Sequence, residues 1–311
     1  ANPDSYAQAT QAALQDEQLR YSRANEAEAN RVGLRILYDA GMDPYAAPAM
    51  FERMLASTRY SSANRMPEFM RTHPLSEKRI ADTRNRARQY PKRIRPVSLD
   101  YQLMRARVAV SLADTPEEAV AQFKGELEGS SRSREATIYG LVLALTKAGR
   151  PEEAALALDG IWSDREQRIE YIIADAEIAL ASGKPELAAQ KLQVRLQLSP
   201  GNHPLTMSYA HALQQSQQSH LAEEVLIDQS RLKPGDPGLW YLLAEVQGLS
   251  GNIIGLHQSR AEYFILVGNL DAAQRQLVYA LKLVGDDFTV SAQINDRIGQ
   301  IIDMRTDLDR G

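Results

Sequence analysis

The chain has 311 residues, of which 44% are hydrophobic and 24% are charged, so it can bury a substantial core. No apolar run in the sequence approaches the roughly 20 residues that cross a bilayer, which argues against a membrane-spanning helix. The lack of cysteine excludes thiolate zinc sites, iron–sulfur clusters, disulfides and a cysteine nucleophile. Any metal ion must therefore be bound through histidine, glutamate or aspartate.

The net charge of -4 is unevenly distributed along the chain. Residues 1–98 contain 16 Lys and Arg against 11 Asp and Glu, whereas the remaining residues contain 20 against 29. This split indicates two units. Aromatic residues make up only 6% of the chain and are not interleaved with basic residues, which argues against nucleic-acid binding. Because the chain starts with Ala1 and shows no leader pattern, we expect that sequence upstream of it has been removed.

Three helices are predicted in the front part of the chain, at about 4–38, 44–58 and 76–90. Gly41 suits the left-handed position that ends the first helix, and Asp43 is predicted to cap the second. Residues 59–75 lack a clear period, which predicts a long loop. A basic connector follows the third helix. We therefore divide the chain into a front domain at 1–95 and a second domain at 96–311.

Behind this boundary the sequence repeats itself with a regular period. Gly149 and Gly183 are one period apart, and so are Pro200 and Pro234. Small residues recur at one helical contact point, at Ala119, Ala154, Ala188 and Ala222. Two helices in a period of about 34 residues are typical of tetratricopeptide repeats, in which alanine permits close helix approach. The sequence therefore predicts an all-α fold, in which a short helical front domain precedes a helical-repeat solenoid.

The string YSRANEAEANRVGL places Glu26 and Asn30 one turn apart on the first helix. Spacing alone makes this pair typical of an exposed, charged helix face. The later string RTHPLSEKRIADTRNRA changes the interpretation, because it places His73 and a following Pro 47 residues after Glu26, with the repeats behind. This order resembles the zinc metallopeptidase family that carries HExxH on one helix and a third ligand in an E-x-x-x-D/N motif on the next, in particular its periplasmic, repeat-bearing branch.

The resemblance implies that the front domain is part of a zincin-type peptidase domain. It implies that Glu26 binds one zinc ion and that Asn30 orients a zinc-binding histidine, although Asn supplies no negative charge where Asp is commoner. His73, which by itself is typical of a surface turn, would be a fourth, inhibitory zinc ligand that displaces the catalytic water.

No HExxH occurs in the sequence, and the helix that would supply two imidazoles and a general base is absent. We therefore expect this chain alone to be inactive and to be the C-terminal part of a longer peptidase. Phosphate-binding GxxxxGK[ST] and GxGxxG motifs are also absent. The five histidines are His73, His203, His211, His220 and His257.

The resemblance further implies a periplasmic endopeptidase and chaperone whose partners are unfolded or stalled outer-membrane proteins and the outer-membrane β-barrel assembly machinery. The alternative is a non-catalytic tetratricopeptide scaffold or holdase, in which Glu26 and His73 are relics. In both cases the first helices of stacked hairpins would line a concave surface that binds polypeptide. Counting along the repeats places six residues in this peptide-binding groove, namely Tyr139, Glu177, Met207, His211, Tyr241 and Glu245.

Residues 84–95 concentrate six Lys and Arg in twelve positions. This run is typical of a solvated helix end and linker. The alternative is peripheral attraction to anionic lipid headgroups, which would be sensitive to salt.

Overall fold

The computed structural model describes residues 25–58, 77–93, 98–129, 133–162 and 168–310, and these are helical apart from turns and short connections. No strand occurs in these ranges, so the predicted all-α class is confirmed. The chain divides into two compact units, residues 1–97 and 98–311.

Three helices of the first unit are described: α1 at 25–39, α2 at Ala46–Thr58 and α3 at Glu77–Ala87. Helix α1 ends as predicted at Gly41, which has a φ of 73°. There the Met42 N–H donates to the Leu37 carbonyl (2.8 Å) and satisfies a terminal helix acceptor. The predicted helical residues before 25 and the predicted loop at 59–75 lie outside the described residues.

Two boundaries in the first unit differ from prediction. The Asp43 carboxylate accepts a hydrogen bond from the Tyr45 N–H (3.1 Å), so it closes a turn before α2 rather than the first turn of the helix. Helix α3 ends at Ala87, before Pro91, and a turn follows. This turn places the Tyr90 ring 4.9 Å from the Tyr38 ring, so aromatic packing replaces the last predicted helical turn.

The second unit consists, in its described part, of six consecutive helical hairpins whose first helices start 33 to 35 residues apart. The hairpins are α4 and α5 (Leu99–Leu112, Pro116–Glu128), α6 and α7 (Arg134–Lys147, Pro151–Asp159), α8 and α9 (Ile169–Ala181, Pro185–Leu198), α10 and α11 (His203–Gln215, Ser219–Leu232), α12 and α13 (Pro237–Ser250, Ile253–Leu266), and α14 and α15 (Leu270–Leu283, Phe288–Arg310).

The core of the second unit is distributed along the array. Each second helix contacts the first helix of the next hairpin, and the first helices contact one another from α4 to α12. Three apolar clusters follow in chain order, and α8 contributes to both the first and the second. The alanines that the period singles out are buried at the helix crossings: Ala119, Ala154, Ala188 and Ala222. This is the arrangement that tetratricopeptide repeats require.

The turn within a hairpin adopts a left-handed conformation at one residue, and this position recurs from one repeat to the next. At Gly183, with φ 69°, the Lys184 N–H donates to the Ala179 carbonyl (2.9 Å). One period later Gln217 takes the same position with φ 61°, and the Gln218 N–H donates to the Leu213 carbonyl (2.9 Å). A side chain is disfavoured in this conformation, so the sequence period survives at Gln217 in backbone geometry but not in residue type.

The last helix, α15, is more than the solvated cap that its charges suggest. Arg297 donates to Glu262 on α13 (2.7 Å), and Arg305 pairs with Asp271 on α14 (2.8 Å). These ion pairs join the final helix to the two helices before it.

We predict that Gln217→Gly raises the free energy of unfolding of the second unit by about 0.5 kcal/mol, because relief of the left-handed strain exceeds the added chain entropy. The matched variant Gly183→Ala should lower it by about 1 kcal/mol through backbone strain alone, since no atom lies within 4 Å of the added Cβ. Urea unfolding followed by helical circular dichroism measures both. A destabilising Gln217→Gly would contradict this account of the turn.

Candidate metal-ligand and peptide-binding sites

The first candidate site lies between α1 and α3, within the first unit. Glu26 and Asn30 occupy successive turns of α1 and face Arg79, on the first turn of α3. A guanidinium nitrogen of Arg79 lies 3.2 Å from Glu26 Oε2, and another donates to Asn30 Oδ1 at 3.4 Å. The side chains of Glu26 and Arg79 are each 19% exposed. The predicted zinc ligand therefore points toward the helix that follows the His-Pro string.

The Arg79 guanidinium connects all three described helices of the first unit. It lies 5.1 Å from the centre of the Phe51 ring on α2, in addition to its contacts with Glu26 and Asn30 on α1. The sequence analysis quoted Arg79 only as part of a family string and gave it no role. A pairing between residues 53 positions apart has no signal in helix periodicity.

The chemistry of this site fits part of a zinc ligand set. A carboxylate held away from bulk water can supply one oxygen ligand. His73 lies outside the described residues. In the ranges that the structure covers, no three His, Asp or Glu side chains converge as a metal site. The Asn30 side-chain oxygen, which we assigned to a zinc-binding histidine, accepts from Arg79 instead.

The histidines of the second unit have structural partners or face solvent. His203 Nε2 lies 2.6 Å from Asp236 Oδ2, which joins α10 to the residue that caps α12. His257 Nδ1 lies 2.7 Å from Gln276 Oε1. His211 and His220 are exposed.

Of the six predicted groove residues, Tyr139 does not line a surface. Its side chain is fully buried, and its ring packs 5.9 Å from that of Tyr171. The hydroxyl accepts from Arg107 Nη2 (2.8 Å), while Arg107 Nη1 donates to Glu177 (3.1 Å). Glu177, which we also placed in the groove, is thus part of an ion-paired network across the first helices α4, α6 and α8.

The electrostatics of this network support a structural role. Burial lowers the pKa of Arg107, but Glu177 and Tyr139 raise it by more, so the guanidinium stays charged. Burial also raises the pKa of the Tyr139 hydroxyl above its ordinary value, although Arg107 opposes this effect. The network therefore contains one ion pair and one neutral hydroxyl.

The other four predicted groove residues lie in the middle and last hairpins. Met207 is partly buried against the second apolar cluster, and His211 is exposed. Tyr241 and Glu245, both exposed on α12, line a cleft of about 240 Å³. Helices α13 and α14 supply lining residues that the sequence analysis missed, namely Arg260, Tyr263, Phe264 and Gln276.

The basic run at 84–95 is only partly solvated. Arg84 pairs with Glu52, and Arg93 donates to the Tyr38 carbonyl (3.0 Å) with its guanidinium 4.3 Å from the Tyr38 ring centre. Arg93 is therefore engaged by its own unit, whereas Arg95 lies outside the described residues. Within the described ranges, no helix combines the length and the apolar character needed to cross a membrane.

We predict that Arg79→Ala lowers the local stability of the first unit by about 2 kcal/mol, because it removes a mostly buried charge that connects three helices. The control Arg84→Ala, in which both ion-pair partners are about half exposed, should cost about 0.5 kcal/mol or less. Hydrogen exchange of the amides in α1 and α3 measures both effects. Equal losses in the two variants would show that Arg79 has no special structural role.

Comparisons with known proteins agree with this division of the chain. Residues 5–87 match Peptidase family M48. Beta-barrel assembly-enhancing protease of Escherichia coli is 30% identical over 284 residues, which is 91% of this chain and 58% of that protein. The Yersinia pestis protein of the same name is 28% identical over 293 residues, 94% of this chain and 60% of that one. The chain thus spans about three fifths of the length of these relatives.

Solved structures similar to this chain include a thermophilic TPR protein of Thermus thermophilus, at 18% identity and a TM-score of 0.35 over 52% of this chain and 97% of that one. MamA from Desulfovibrio magneticus matches at 17% identity and a TM-score of 0.39, over 56% of this chain and 98% of that one. The resemblance drawn from the sequence motifs is confirmed by the sequence comparisons: the chain is similar over nine tenths of its length to beta-barrel assembly-enhancing proteases, and its front unit carries the Peptidase family M48 match.

Proposed function

We propose that this chain is the C-terminal portion of a periplasmic zinc metalloendopeptidase and chaperone that acts in the assembly and quality control of outer-membrane β-barrel proteins. The front unit contributes the third zinc ligand, Glu26. The repeat unit binds client proteins and the assembly machinery. The chain alone is inactive, since its sequence contains no HExxH.

The observation that carries this proposal is the position of Glu26. An arbitrary carboxylate on a charged helix points into solvent, whereas Glu26 is mostly buried and contacts Arg79, six residues after His73 in the chain. The two motifs of the family resemblance therefore meet in space through Arg79. The match of residues 5–87 to a peptidase family supports the same assignment.

In the proposed site, Glu26 would hold the metal and Asn30 would support a ligand from nearby. A zinc ion bound there supplies Lewis-acid activation of a water molecule. The residues of this chain have a positioning role: Arg79 fixes the rotamer of Glu26, and Phe51 restricts the guanidinium. The contact between Asn30 and Arg79 must change if the Asn30 amide is to accept from a histidine instead.

The proposed clients follow from the names of the relatives and from the architecture of the repeat unit. Helical-repeat arrays bind extended polypeptide along the surface of their first helices. Unfolded outer-membrane proteins expose such segments. The cleft beside Tyr241 and Glu245 is the most enclosed apolar part of the proposed groove. A periplasmic location follows if the clients are intercepted before they reach the outer membrane.

The alternative function is a non-catalytic scaffold or holdase. The six hairpins in the described part of the second unit support it, because client binding by the repeats needs no metal. In that case, removal of Glu26 would leave both metal content and client retention unchanged.

In the full-length protein, we predict that Glu26→Ala reduces bound zinc well below one ion per chain, because it removes a direct ligand. Asn30→Ala should weaken zinc binding by about tenfold. Glu28→Ala is the matched control, since this carboxylate is exposed and pairs with Arg31 on the same helix. Zinc content by elemental analysis after dialysis is the measurement. Unchanged zinc in Glu26→Ala would leave only the scaffold function.

We predict that His73→Ala raises the peptidase activity of the full-length protein, because the proposed inhibitory ligand no longer occupies the open metal position. Cleavage of a denatured outer-membrane protein, followed over time on gels, measures the effect. A rate equal to or below that of the unsubstituted protein would refute inhibition by His73.

A further inference from the structure

The cleft in the second unit has walls from three helices of the last two hairpins. Tyr241 and Ala244 come from α12, Tyr263 and Phe264 from α13, and Gln276 from α14. Ala244 is 3% exposed and closes the cleft from inside, whereas Tyr241 is 53% exposed at its edge. The result is a recess with one apolar side and an open mouth.

Aromatic rings dominate the apolar wall. The ring centres of Tyr241 and Tyr263 are 5.6 Å apart with an interplanar angle of 64°, and those of Tyr263 and Phe264 are 5.4 Å apart at 63°. Both pairs have the edge-to-face geometry that aromatic rings prefer, so each ring edge or face left open can pair with a further ring. A cavity of about 150 Å³ lined by apolar side chains accepts benzene. The cleft, at about 240 Å³, therefore has room for one aromatic side chain.

The rim of the cleft is polar and carries both charges. Glu245 and Arg260 line it and are exposed, and neither forms an ion pair within the described part of the chain. An extended peptide presents main-chain N–H and C=O groups that need partners. A carboxylate and a guanidinium beside an aromatic recess can accept from one such group and donate to the other. Gln276 is held in place by its contact with His257 Nδ1 (2.7 Å).

We propose that this cleft binds one aromatic side chain of an extended, unfolded β-strand segment, with Glu245 and Arg260 contacting the main chain beside it. The inference rests on the proposed function, because it names the feature of the client that the repeat unit recognises. Strands of outer-membrane barrels alternate polar and apolar residues and carry aromatic residues at both edges of the apolar band. An unfolded barrel strand thus presents aromatic side chains at spacings that an extended chain can offer singly.

The test uses the 311-residue chain and two fluorescein-labelled peptides of about ten residues, the length of a transmembrane β-strand. Both peptides alternate Thr and Val, and one has a central Tyr where the other has Ala. Fluorescence anisotropy gives the two dissociation constants. We expect the Tyr peptide to bind about tenfold more tightly, because only its ring fills the recess.

Tyr241→Ala should abolish this preference. Tyr101→Ala is the matched control, because Tyr101 is similarly exposed, at 61%, but lies on α4 outside the cleft. Helical circular dichroism establishes that each variant is folded. Should Tyr241→Ala lose helix content, Glu245→Lys replaces it: this exposed substitution should weaken binding of the Tyr peptide severalfold.

The outcomes separate this inference from the proposed function. Equal binding of the two peptides, no binding of either, or equal effects of Tyr241→Ala and Tyr101→Ala would overturn aromatic recognition by the cleft. Retention of a urea-diluted outer-membrane barrel protein by the immobilised chain is measured in parallel. If the barrel protein is retained while aromatic preference is absent, client binding survives and the cleft assignment fails. If neither peptide nor barrel protein binds, both fail.

Discussion

Each hairpin of the repeat unit closes because very little side-chain volume separates its helices where they cross. Ala119, Ala154, Ala188 and Ala222 are almost completely buried at these crossings. At another close approach, a Cβ added to Gly140 on α6 would lie 2.3 Å from the Phe123 ring on α5. Larger residues would push the helices apart, and the displacement would reach the next hairpin because each second helix packs on the following first helix. The surface of the array, including the cleft, depends on this spacing.

The sequence predicts the repeat unit well because its signals are local and periodic. Small residues at one contact point and glycine at the turn recur from repeat to repeat, and each marks a feature that neighbouring residues determine. Gln217 shows where this breaks down: the backbone geometry of the turn is imposed by the hairpins, and no glycine marks it.

Candidate sites were harder to predict because they combine residues from distant parts of the chain. Counting along first helices identified Tyr241 and Glu245 but also Tyr139, whose ring is buried because a neighbouring first helix covers it. It could not identify Arg260 or Tyr263, which reach the cleft from a second helix. In the front unit, the family motifs drew attention to Glu26, whereas its contact with Arg79 required the packing of α1 against α3. The buried position of Glu26 is unusual for a carboxylate on a charged helix and is explained by its guanidinium partner.

The construction of the cleft from two hairpins links binding to the cohesion of the array. Tyr241 and Tyr263 belong to the fifth hairpin and Gln276 to the sixth, while Arg297 on α15 fastens α13 from its other side. In a one-dimensional array, stability is the sum of hairpin terms and nearest-neighbour interface terms. A segment seated across both hairpins would add its binding free energy to that last interface. Fraying of the C-terminal end would thereby release whatever the array holds, so the terminal helix sets how long a bound segment stays.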